Sequence, residues 1–135
     1  MLANALVERY GAGQFPTPAA LAAATPAELG MPGLRGQAIS SLAQQVAQGS
    51  LHLDGQPQEL RAELLQIPGI GPWTAEYVAM RVARDADAFV ATDWVVRKQL
   101  GLTPAAARRW AEPMRPWRAY AVMYLWWAAA AGVTC

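Results

Sequence analysis

The sequence predicts an all-α, multi-helix fold, and three observations predict it. Apolar residues recur at helical spacing, no useful stretch alternates apolar and polar as a strand does, and Pro and Gly stand where helices would begin and end. The 135 residues suffice for one domain with a real core but are short for a complete enzyme. A composition 54% hydrophobic and 16% charged belongs to a globular chain rather than a disordered one.

The elements follow in order. A first helix is expected from Met1 to Tyr10, stopped by Gly11-Ala12-Gly13. Thr17-Pro18 is an N-cap followed by proline at the first helical position, opening a helix over Ala19 to Ala24, and Thr25-Pro26 repeats the device for one further turn. Gly33 leads into an amphipathic helix from Leu34 to Gln48 whose stripe is Ile39, Leu42 and Val46. Gly49 to Gln56 reads as a loop and Pro57 to Leu65 as a short helix. The tight turn Ile67-Pro68-Gly69-Ile70-Gly71-Pro72 then precedes a helix from Trp73 to Ala83. Asp85 to Thr92 is irregular, and Asp93 is placed to start a helix running to Leu100. Thr103-Pro104 starts the next helix, which Pro113 ends, and the last helix runs from Pro116 to Ala131.

Several classes are excluded. No window approaches the ~18 uninterrupted apolar residues of a membrane span. Ala119 to Val133 is the most apolar stretch, is broken by tyrosines, and reads as a buried helix. Met1 to Leu6 has neither the basic start nor the apolar core of a signal peptide. The one cysteine, Cys135, excludes an internal disulfide and any multi-cysteine metal or iron–sulfur site, so the expected location is the cytoplasm. Charge is uneven: two arginines against four acids before Arg61, nine basic against six acidic residues from Arg61 onward. That is a weak nucleic-acid signal, which a polar protein face would also give.

Gly-x-Gly between two helices has a mechanical meaning. Glycine permits positive φ and close backbone approach, and amides at the start of a helix make an anion site for which phosphate is the obvious occupant. By itself the same pattern is also a plain helix–turn–helix connection packed in the core. The longer string Leu64-Leu65-Gln66-Ile67-Pro68-Gly69-Ile70-Gly71-Pro72-Trp73-Thr74-Ala75 resembles the helix–hairpin–helix motif, whose core is L-P-G-[IV]-G followed by x-x-T-A. The resemblance implies that the amides of Gly69 and Gly71, with Thr74 nearby, bind a DNA phosphate. It also implies that the carbonyls of Leu65, Ile67 and Gly69 can hold a structural Na+ or K+, with no other cofactor required.

Asp93 lies in Phe89-Val90-Ala91-Thr92-Asp93-Trp94-Val95-Val96-Arg97-Lys98. An aspartate starting a helix is favoured as an anion by the free N–H groups there. Such an anion can support positive charge developing on a sugar, or align water, while an ordinary N-cap would look the same. Helix–hairpin–helix glycosylases carry their catalytic aspartate about twenty residues after the hairpin, the spacing from Trp73 to Asp93. Asp85 and Asp87 read as solvated turn residues, and Glu76 as a surface partner for an arginine.

The stretches from Phe89 to Lys98, Leu102 to Ala105, Arg108 to Glu112 and Arg115 to Ala121 are similar to the 3-methyladenine DNA glycosylase II family. So are Phe15 to Ala22 and Gly30-Met31-Pro32 to Ala38, so the resemblance covers nearly the whole chain. It implies base excision: an alkylated purine flipped out of duplex DNA, its N-glycosidic bond hydrolysed with Asp93 as the acid. Trp73, Tyr77 and Trp126 match pocket aromatics, an arrangement suited to an electron-poor base, although core packing explains most tryptophans. Trp110, Trp117 and Trp127 read as space-filling. Some other members of the helix–hairpin–helix superfamily also cut the strand, and they use a lysine just after the hairpin. Trp73 stands at that position and Lys98 is the only lysine, so the resemblance implies a monofunctional enzyme.

The domain expected from the resemblance is 1–135, with 1–56 a remnant of upstream helices, 57–84 the helix–hairpin–helix and 85–135 the catalytic loop and C-terminal helices. It would lack an amino-terminal β-rich domain and part of the first helical lobe, including the wedge that fills the gap left by the flipped base. A truncated product, a fragment of a fusion with an alkylation-response domain, or half of a split enzyme would each fit; the chain is otherwise expected to be a monomer. Two alternatives stand beside this reading: a non-catalytic clamp on the DNA backbone, or an inactive truncation; and an all-helical interaction domain whose hairpin is accidental.

Overall fold

The computed structural model describes residues 2–25, 27–31 and 33–133. The helix start at Met1, the proline device at Pro26, the match at Pro32 and the thiol of Cys135 lie outside them. The regular elements are α1 (Leu2–Tyr10), α2 (Pro18–Ala22), α3 (Leu34–Gln48), α4 (Pro57–Leu65), α5 (Pro72–Arg81), α6 (Trp94–Leu100), α7 (Pro104–Ala111) and α8 (Arg118–Ala130), with a 3-10 turn at Glu112–Met114. Among the described residues there is no strand, and no helix is long and apolar enough to cross a membrane.

The expected caps form. Thr17 Oγ1 accepts the Ala20 amide at 3.2 Å, Thr103 Oγ1 that of Ala106 at 3.3 Å, and Asp93 Oδ1 that of Val96 at 3.0 Å. Each takes one of the orphan N–H groups of a first turn. Some helix ends differ from expectation: α5 stops at Arg81 rather than Ala83, and α8 starts at Arg118 rather than Pro116. α2 stops at Ala22, and Thr25 and Glu28 close a separate turn: the carboxylate accepts the Thr25 amide at 2.8 Å and its hydroxyl at 2.7 Å. These bonds hold Glu28 below the ordinary carboxylate range. As expected, Pro113 ends α7: its last residue is Ala111, because a proline has no N–H to continue the ladder and the chain tightens into the 3-10 turn.

The chain divides into two compact units, Met1–Leu53 with Ala62–Ile70 and Asp54–Arg61 with Gly71–Cys135. In the first, α2 packs on α3 beside a small core of Leu6, Ala24 and Leu29, against which Tyr10, Leu21 and Ile39 rest. The stripe Ile39, Leu42, Val46 is only half-buried, and the buried positions of α3 are Gly36, Ala38 and Ala43. Small residues take the buried positions of the helix, and the branched ones are only partly covered.

In the second unit α6 packs on α8, around Val90, Val96, Val122 and Leu125, all fully buried. Burying each such side chain contributes about 1.5–3 kcal/mol. α8 is not the buried helix its composition predicts. Ala119, Val122, Leu125 and Ala128 face inward, while Tyr120, Met123, Tyr124 and Trp127 are exposed. Trp117 and Trp127 are 58% and 59% exposed and Trp110 38%, so none of the three simply fills space. Helical periodicity overrides composition here: a helix on the surface of a unit buries only one stripe, whatever stands on the other side.

Candidate active site

All the residues of this site lie in the second unit. Asp93 caps α6, yet its carboxylate does more than cap, because two indoles converge on it. Trp73 Nε1, from α5, donates to Asp93 Oδ2 at 3.0 Å, and Trp126 Nε1, from α8, donates to Oδ1 at 3.0 Å. The Val96 amide donates to Oδ1, also at 3.0 Å. Asp93 is 8% exposed, a buried anion with three N–H partners. A carboxylate has about four acceptor positions, so one remains, and the bond count puts it on Oδ2.

The aromatics form a continuous row. Trp73 and Tyr77, four residues apart on α5, stack with centroids 5.3 Å apart and planes at 20°, and Tyr77 meets Trp126 at 5.9 Å and 42°. They pack on one another rather than facing across a gap, and Trp73, at 41% exposure, is the most open of the three. A cavity of about 200 Å³ borders Trp73 and the 89–92 segment, with Glu76 and Arg118 in its wall.

The segment that carries Asp93 is tied down by carboxylates that sequence reasoning misassigned. Asp85 and Asp87 are not solvated turn residues. Asp85 pairs with Arg61 and accepts the Asp87 amide at 2.9 Å; Asp87 accepts Arg118 Nε at 2.7 Å and Arg115 Nη1 at 2.7 Å. Glu76 does pair with an arginine, Arg61, but it is half-buried and also accepts the Phe89 amide at 2.8 Å. Burial works against the Arg61 charge, but the bonds to Glu76 and Asp85 outweigh it and raise its pKa. The Arg118 bonds, joined by the nearby charge of Arg115, hold Asp87 below the ordinary carboxylate range. No local spacing announces these pairs, since the partners are 15, 24 and 31 residues apart.

In the hairpin, the two glycines differ. Gly69 has φ +91°, and a Cβ there would stand 2.7 Å from the Leu34 carbonyl oxygen, so both conformation and space require glycine. Gly71 is extended, exposed, and has nothing within 4 Å of a Cβ position. It is the N-cap of α5 with no side-chain cap, ahead of Pro72, Trp73 and the half-buried Thr74. Of the three carbonyls expected to face a cation, that of Ile67 accepts the Ile70 amide at 3.0 Å. Among the described residues no cluster of three or more His, Cys, Asp or Glu side chains could hold a metal.

The fold is that of a DNA glycosylase helical domain: a 3-methyladenine DNA glycosylase of Schizosaccharomyces pombe, solved in complex with abasic DNA, superposes with a TM-score of 0.81 at 24% identity, over 91% of this chain and 68% of that one. The chain is also 40% identical over 119 residues to DNA-3-methyladenine glycosylase 2 of Escherichia coli, covering 84% of this chain and 42% of that protein. A probable bifunctional transcriptional activator/DNA repair enzyme AlkA of Mycobacterium tuberculosis is 43% identical over 133 aligned residues, covering 88% of this chain and 26% of that protein. No family model matches. Over most of its length the chain is similar to proteins named DNA-3-methyladenine glycosylase or AlkA, and it spans less than half the length of these two curated relatives.

Proposed function

We propose that this chain carries the catalytic and DNA-gripping part of a DNA glycosylase that hydrolyses the N-glycosidic bond of alkylated purines flipped out of duplex DNA. The observation that carries the proposal is the Asp93 carboxylate, buried and fixed by the indoles of Trp73 and Trp126. An anion held by preset donors needs no reorganisation when positive charge develops on the sugar, and a site with little water strengthens that attraction. The remaining acceptor position on Oδ2 leaves room for one partner, the sugar or a single aligned water. A cationic alkylpurine is already a good leaving group, so electrostatic support from Asp93 is the main demand. The open face of Trp73 offers it a stacking surface.

The same reading gives Gly69, Gly71 and Thr74 to a DNA phosphate; the open space at Gly71 and the uncapped start of α5 support it. The carbonyls of Leu65, Ile67 and Gly69 are hard donors of the kind a Na+ or K+ takes, and Ile67 keeps a second lone pair beside its turn bond. Trp73 stands where lyase-type members have lysine and is committed to Asp93, which supports a monofunctional reaction without strand cleavage.

The test is release of free base from duplex DNA containing an alkylated purine. We expect Asp93→Asn to lower the rate by roughly 100-fold or more while duplex binding persists. A wild-type chain that binds duplex but releases no base would instead match a backbone clamp.

A further inference from the structure

Directly after Asp93, α6 turns a different surface outward. Trp94, Arg97 and Lys98 stand three and four residues apart and share one helix face. Trp94 is 68% exposed, and Lys98 Nζ lies 4.9 Å from its ring centroid. With Gly101, Leu102 and Thr103 they line an open depression of about 490 Å³. Neither Arg97 nor Lys98 has an ion-pair partner among the described residues, whereas Arg61, Arg115 and Arg118 all do. Basic residues in the last turn of α6 gain from its carbonyl end, which accounts for their charge. It does not account for an indole that stays largely exposed even with the Lys98 ammonium over its ring.

Aromatic surface, unpaired cations and open volume, one residue from the proposed catalytic acid, form the combination that binds a nucleic-acid strand without reading its sequence. We propose that this depression holds a phosphodiester of the damaged strand next to the nucleotide presented to Asp93. Lys98 and Arg97 contact the phosphate, and the Trp94 indole lies under the adjoining sugar or base. This rests on the glycosylase reading and adds a second grip on DNA, separate in the sequence from the hairpin.

The test is the affinity of the chain for a duplex containing an abasic-site analogue, measured across a salt series. Lys98→Gln and Arg97→Gln should each reduce the slope of log affinity against log salt by about 1. Trp94→Leu should weaken binding roughly 5- to 10-fold with the slope kept, since its contribution is not ionic. All three are surface changes, and unchanged melting temperatures would show that the fold is intact. Slopes unaltered in both charge variants would overturn this proposal alone. A wild-type chain with no affinity for the duplex would overturn it together with the reading it rests on.

Discussion

Trp73 and Trp126 were legible in the sequence as aromatics suited to an alkylated base, but not as hydrogen-bond donors. Their indole N–H groups occupy both oxygens of Asp93, so replacing either by phenylalanine keeps an aromatic ring and removes a charge-assisted bond. Such a bond is worth about 1.5–3 kcal/mol. We therefore expect Trp73→Phe and Trp126→Phe each to lower the rate of base release by about 10- to 100-fold, with affinity for abasic duplex nearly unchanged. Equal losses in binding and turnover would show that stacking, not the bond to Asp93, is what matters. The two hairpin glycines make a second contrast. Gly69→Ala meets both a positive φ and the Leu34 carbonyl, and should destabilise the chain by about 1–3 kcal/mol in a denaturant melt. Gly71→Ala should melt like the wild type, because nothing lies within 4 Å of the added methyl, and should lose DNA affinity if that open space takes the phosphate of the proposed site.

At the scale of elements, the segment from Asp85 to Thr92 has no regular structure, yet it aims the helix that carries the acid. Charge pairs do the holding. Arg61 and Glu76 bind its start and middle, and Asp87 joins it to Arg118 at the beginning of α8. Because the folded state depresses the Asp87 pKa, this pairing stabilises the fold fully above the unfolded value of about 3.9. That contribution shrinks as pH falls below this value and is gone once pH passes below the depressed folded value. Acid unfolding followed by circular dichroism should therefore be less steep in Asp87→Asn, which lacks the titrating group, than in the wild type. A parallel pair of curves would mean that the Arg118 bonds add nothing. Most helix ends could be read from Thr-Pro, Asp and Gly signals because capping is local; the charge pairs could not, because their partners meet only after folding.

At the scale of the whole molecule, composition misled where local pattern did not. Trp110, Trp117, Trp127 and an apolar C-terminal stretch read as core, yet α8 leaves Tyr120, Tyr124 and Trp127 in solvent. Sequence alone assigns α8 its period but not how many of its sides are covered. The candidate acid was legible for the opposite reason: its spacing from the hairpin and its cap position are local and survive into the fold. An exposed aromatic face of this kind binds apolar probes. We expect the native chain to enhance the fluorescence of a dye such as ANS without denaturant. Tyr124→Lys with Trp127→Lys should reduce that signal and leave the melting temperature within a few degrees; an unchanged signal would place the dye elsewhere. The bond between Asp93 and its two indoles also bears on how such chains diverge. Three positions from three different helices or their caps, 20 and 33 residues apart, answer to one carboxylate, so drift at any of them is felt at the other two. Across homologous chains they should change together or not at all, and a lineage keeping the acid while losing both indoles would be one in which selection for base release had already lapsed.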